Sequence, residues 1–266
     1  MYPKLLELGP VVFHSYGLFL AIAFIAGIWI TSRNARKEGI SADSVWNLGL
    51  VVLCATLVGC KLLMLITDFS YYAANPREIF SLTTLRSMGV FYGGLLLALA
   101  AAAWYLRKRR LPAWKVADYA APGIALGQVI GRLGCFMAGC CYGAPTNVPW
   151  AVRFTNPYTI ENMGTPFNVP LHPVQVYESL GALLIFGFLM WRLLRRHITG
   201  HIILEYLGLY AVLRFIIEFF RADDRGEIFN GLLSTSQFIA VVTFAAAAIL
   251  YWYLLRRRGS EAPGTT

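Results

Sequence analysis

YAVLRFIIEFFR, residues 210–221, is apolar enough to lie in a membrane, yet it carries Arg214 and Glu218 in its middle. Tyr210, Arg214 and Glu218 are four apart and Arg221 follows three later, so at 3.6 residues per turn a helix sets them along one face. A charge at the centre of a bilayer costs at least ~2.5–3.5 kcal/mol on insertion scales. Such a face therefore addresses a cavity or a partner charge. Arg214 and Glu218 have the spacing of an i,i+4 ion pair. Two readings fit it: a pair that glues helices together, or one wall of a binding chamber.

Outward from this stretch the chain has the same character. It has 266 residues, 58% hydrophobic and 14% charged, against about a quarter charged in soluble domains. Runs of about 20 apolar residues span a bilayer as helix. Seven are found, at roughly 12–31, 45–66, 88–106, 117–138, 174–194, 202–220 and 233–255. The fourth, rich in glycine and carrying Gln128 and Arg132, is the weakest. The first has no basic segment before it, so it reads as a retained helix rather than a cleaved signal peptide.

The net charge of +9 does not point to nucleic acid, because the basic residues follow the apolar runs. They cluster at Arg33, Arg36 and Lys37; at Arg107, Lys108, Arg109, Arg110 and Lys115; at Arg192, Arg195 and Arg196; and at Arg256, Arg257 and Arg258. The opposite side has only Lys4, Arg77, Arg86, Arg153, Arg221 and Arg225. Positive loops stay cytoplasmic. The expected fold is thus an all-α integral membrane protein of seven transmembrane helices, N-terminus outside and C-terminus cytoplasmic. One membrane domain covers 1–258, with outer loops at about 67–87, 139–173 and 221–232. Residues 259–266 form a disordered tail.

On this topology Lys61, Arg132, Glu178, Arg214 and Glu218 all fall in the outer halves of their helices. His14, Tyr16, Tyr92 and His172 stand at the outer helix starts. Lys61, Arg132, Arg214 and Arg221 face only Glu178 and Glu218, leaving a positive excess. A buried positive excess wants an anion, and in a membrane the natural anion is a lipid phosphate held by guanidinium forks.

Two further segments join the chamber. GQVIGRLGCFMAGCCYG, 127–143, ends the fourth run, with glycines that permit close packing or a backbone break near a ligand. Its Cys135, Cys140 and Cys141 bind metal, form a disulfide or are small buried residues; with no His or Asp among them, metal is the weakest option. LHPVQVYES, 171–179, opens the fifth run, and its Gln175 and Glu178 share a helical face.

In order along nearly the whole chain, FHSYGL at 13–18, FYGG at 91–94, GRLGCF at 131–136, HPVQVYE at 172–178 and YAVLRFIIEFFR resemble the prolipoprotein diacylglyceryl transferases of the bacterial inner membrane. The resemblance implies transfer of diacylglycerol from phosphatidylglycerol to the thiol of a prolipoprotein's lipobox cysteine, on the periplasmic side. It implies catalytic roles for Arg132, Arg214, Glu218, Tyr92 and His172. It implies substrate contacts from Tyr16, Lys61, Cys135, Gly143, Gln175, Glu178, Tyr210 and Arg221. The implied partners are membrane lipid and lipobox signal peptides, with no cofactor, no metal, no nucleic acid and a monomeric enzyme.

This chain departs from the family pattern at several points. Tyr92 stands where the family's HGG motif has histidine, and with an unperturbed pKa near 10 it is a poorer base. Against the signature Gly-Arg-x-Gly-Asn-Phe-x-Asn-x-Glu-x-x-Gly, Cys135 replaces the first Asn, Ala138 the second and Cys140 the Glu, while Gly143 is kept. Lys61 stands where an arginine is usual. The alternative function is therefore a catalytically altered paralogue that binds, flips or transports lipid.

Overall fold

A computed structural model describes residues 2–8, 11–81, 84, 87, 89–222, 226–228 and 233–261. Arg86, Arg225 and residues 262–266 lie outside the described residues. Seven helices of at least 18 residues are present among the described residues: α1 (Ser15–Ala35), α2 (Ala42–Thr67), α4 (Phe91–Lys108), α5 (Ala113–Ala138), α7 (Val174–Leu193), α8 (His201–Glu218) and α9 (Thr235–Glu261). Two short helices, α3 (Phe69–Ala74) and α6 (Pro157–Met163), lie in the connections.

α1, α2, α5, α7 and α9 are long and apolar enough to cross a membrane. The sequence ranks the fourth run weakest, but it qualifies, because helix begins at Ala113 and continues through Pro122 for 26 residues. α9 continues to Glu261, into the stretch expected to be tail. Large apolar side chains stay exposed on these helices, among them Leu57, Ile66, Leu184 and Ile249. A water-soluble domain would bury such faces; lipid needs no burial.

The first helix starts three residues later than the apolar pattern suggests. Val11–His14 instead pairs antiparallel with Lys4–Leu8 as a two-stranded hairpin, β2 with β1. The connection at 139–173 is likewise structured. Val152–Arg153 (β3) pairs antiparallel with Pro170–Leu171 (β4), and α6 starts on an Asn156 side-chain cap with Pro157 in its first turn. Glu227–Ile228 (β5) pairs with Leu233–Ser234 (β6) before α9.

The chain forms two compact units, residues 35–116 and residues 1–34 with 117–266. In the first, α2 and α4 cross backbone to backbone. A Cβ placed on Gly59 would lie 2.3 Å from the Gly93 carbonyl oxygen, so only glycine permits this approach. In the second, α1 and α5 approach likewise at Gly27 and Gly123. Small residues at such crossings are how helices pack where lipid supplies no hydrophobic drive. The second unit's core lies among α5, α7 and α8, where Ala121, Ala125, Ile185, Leu189, Ile202 and Tyr206 are buried together.

Candidate phosphate-binding site

The larger unit carries most of the expected residues. α5 supplies Arg132, α7 supplies Gln175 and Glu178, and α8 supplies Tyr210, Arg214 and Glu218. Arg132 Nη2 meets Glu178 Oε1 at 2.7 Å, so this pair joins α5 to α7. Tyr210 donates its hydroxyl to the same Glu178 oxygen at 3.3 Å, bringing in α8. One turn later Arg214 Nη2 meets Glu218 Oε2 at 2.6 Å, the i,i+4 pair that the spacing suggests.

The second pair is braced by residues missed at the sequence level. Ser236 Oγ lies 3.1 Å from Arg214 Nη2, and Ser234 Oγ donates to Glu218 Oε1 at 2.8 Å. A readable signal was present. Ser234-Thr235-Ser236-Gln237 forms a capping box: the Gln237 amide donates to Ser234 Oγ, and the Ser234 amide donates to Gln237 Oε1. That box starts α9 and places both hydroxyls beside α8.

Buried polar atoms in this region without a hydrogen-bond partner among the described residues include Arg214 Nη1, Glu178 Oε2 and Gln175 Oε1. Buried polar groups are normally satisfied, so unpaired ones mark a place where a ligand completes the network.

The loop after α5 wraps around the site's edge. Gly143 lies between two strands of backbone: its amide donates to the His172 carbonyl, and Ala144's to the Phe220 carbonyl. A Cβ on Gly143 would meet Val174, Phe220 and His172 at 2.5–2.7 Å, which explains the glycine there. Arg221 pairs with Gly143 through a backbone bridge at the same place. His172 Nδ1 lies 3.2 Å from the Tyr177 hydroxyl, which accepts from Trp150 Nε1 at 2.6 Å. Cys135, Cys140 and Cys141 gather beside Arg132, with Tyr16 among their charged and polar neighbours. The Cys140 thiol donates to the Cys135 carbonyl at 3.8 Å.

Gly131, one of the glycines read as allowing close packing or a backbone break near a ligand, faces open space. Lys61 and Tyr92 belong to the other unit. There the Lys61 ammonium donates to the Thr84 and Ser87 carbonyls and to Ser87 Oγ, and Tyr92 is 52% exposed beside Phe91.

A family model described as prolipoprotein diacylglyceryl transferase matches residues 3–253. Relatives named phosphatidylglycerol–prolipoprotein diacylglyceryl transferase include one from Clostridium tetani, 35% identical over 94% of this chain and 97% of its own length. Another, from Dehalococcoides mccartyi, is 33% identical over 96% and 95%. One from Corynebacterium glutamicum is 32% identical over 96% and 83%.

Proposed function

The chain belongs to the prolipoprotein diacylglyceryl transferase family, and from that premise we propose that it transfers the diacylglyceryl group of phosphatidylglycerol to the thiol of a prolipoprotein's lipobox cysteine. The observation that carries the site assignment is Arg214 Nη1, a buried guanidinium nitrogen with no protein acceptor among the described residues, one turn along α8 from Tyr210, whose hydroxyl shares Glu178 Oε1 with Arg132. A phosphodiester oxygen is its acceptor.

In this reading Arg132 and Arg214 grip the phosphate of the lipid head group. The acceptor thiolate attacks the glycerol carbon, the C–O bond to phosphate breaks, and glycerol phosphate leaves with a second negative charge. Charge that develops at a fixed pair of guanidiniums is stabilised without solvent reorganisation, and one such donor is worth about 10²–10³ in rate. Glu218 and Ser234 position Arg214; Glu178 and Tyr210 position Arg132. Tyr16, Cys135, Gly143, Gln175 and Arg221 line the substrate path, and His172 handles the thiol's proton. The membrane arrangement completing this proposal is seven spans, N-terminus outside and C-terminus cytoplasmic. The protein acts as a monomer in the bacterial inner membrane with its site facing the periplasm.

The test is an assay of purified protein with phosphatidylglycerol and a lipobox peptide. Thioether product is expected from wild type, and none from folded Arg132→Ala or Arg214→Ala. Lipid bound without turnover, where a relative forms product, rejects the transferase reading.

A further inference from the structure

The phosphate chemistry gives none of three clustered thiols a chemical step. Cys135 lies in the last turn of α5, just after Arg132, and Cys140 and Cys141 follow the helix end. Their Sγ atoms all lie within 4.8 Å of one another. Three sulfurs bound tetrahedrally to one ion at the usual Zn–S length of ~2.3 Å sit ~3.8 Å apart, so small side-chain rotations close the set.

The backbone holds this convergence in place. Gly139 and Cys141 both take positive φ, 79° and 59°. For cysteine that conformation costs on the order of 1 kcal/mol, and it persists only where the surroundings enforce it. Three successive carbonyls are clamped: Ala138 by Thr159 Oγ1 at 3.3 Å, Gly139 by Thr165 Oγ1 at 2.8 Å and Cys140 by Gln175 Nε2 at 2.7 Å. All three clamping residues are buried. Small buried cysteines filling space need no such loop.

We propose that Cys135, Cys140 and Cys141 form a three-thiolate seat for one thiophilic d10 ion of the Zn(II) class, whose open fourth position takes the acceptor cysteine's thiol. Soft thiolates select such ions, and a three-ligand site keeps one position for substrate. The inference rests on the transferase reading. Coordination deprotonates a thiol outright, and His172, the proton handler of the proposed function, takes the proton. The bound thiolate then attacks the glycerol carbon: the C–S bond forms, the C–O bond breaks, and the electron pair leaves on glycerol phosphate held by Arg132 and Arg214. The ion keeps its three cysteines and its oxidation state. Such a seat supplies the acceptor as thiolate, the nucleophilic form.

The experiment uses the full chain in phosphatidylglycerol nanodiscs under a non-thiol reductant, stripped by chelator and titrated with Co(II), then Zn(II). One Co(II) per chain is expected, with a strong thiolate charge-transfer band that Zn(II) removes and that Cys140→Ser/Cys141→Ser lacks. X-ray absorption on the Zn(II)-loaded wild type, which depends on no variant, should show three sulfur neighbours. A fourth should appear with a lipobox peptide and not with its Cys→Ser analogue. Metal-free protein should lose at least tenfold in product formation and regain it with Zn(II). No bound Co(II), full binding by Cys140→Ser/Cys141→Ser, no fourth sulfur, or full activity without metal each overturns the proposal. Intact metal binding with no product under any condition instead counts against the transferase reading.

Discussion

The two ends of α7 and α8 are built from the same residue types and differ in how completely they are satisfied. Near the His201 end, Arg192 grips Glu205 with Nε on both carboxylate oxygens at 3.0–3.1 Å and Nη2 on one at 2.7 Å. Asp118 spends one oxygen on the Gly200 amide at 2.6 Å and the other on the Ile203 amide at 3.0 Å, capping α8. At the other end, Arg132–Glu178 and Arg214–Glu218 are equally short pairs, yet Glu178 Oε2 and Arg214 Nη1 stay buried without partners among the described residues. A closed network fixes helices; an open one keeps hydrogen-bonding capacity for an incoming ligand. Charge inside the bundle therefore does not mark function by itself. Incomplete satisfaction does.

The contrast breaks most sharply at Arg214. Arg214→Gln should lower turnover by about 10²–10³ while the folded fraction, read by size-exclusion and thermal unfolding, stays near wild type. Gly143→Ala should damage fold and site together, since the new methyl meets Val174, Phe220 and His172; about 1–3 kcal/mol of stability is expected to go, as in other overpacked sites. Arg192→Ala should be the mirror of Arg214: a loss of about 2 kcal/mol from its charged hydrogen bonds, seen as a lower unfolding midpoint, with folded protein retaining its turnover. Asp118→Asn should cost about 1 kcal/mol, a typical cap loss, again without a kinetic change. Smallest of all, Gly131→Ala enters open space and should leave turnover within about twofold while adding up to about 1 kcal/mol of helix stability. A kinetic collapse in Arg192→Ala, or full turnover in Arg214→Gln, would erase the distinction between closed and open ends.

Much of this was legible in the order of residues. Hydrophobic runs located the long helices, because lipid demands about 20 apolar residues in a row wherever a helix crosses. The i,i+4 pairing of Arg214 with Glu218 was readable because it is local to one helix. The family was readable from GRLGCF, HPVQVYE and YAVLRFIIEFFR taken together. Less was legible where the chain is neither long nor periodic. Most of β2, from residue 12, was read as the start of the first helix, since Val12 and Phe13 are as apolar as the first turns of α1.

Sequence alone determined that charged residues are embedded in apolar helices, and which chemistry their types permit. Tertiary structure alone decided their partners. Arg132 meets Glu178, 46 positions away, because α5 and α7 pack side by side; Ser234 meets Glu218 because a capping box starts α9 there. It also turned three cysteines into a cluster, through two left-handed residues and three clamped carbonyls. Pairing of this kind depends on distance in space. Local periodicity fixes only the face that a residue shares with its neighbours three and four positions along.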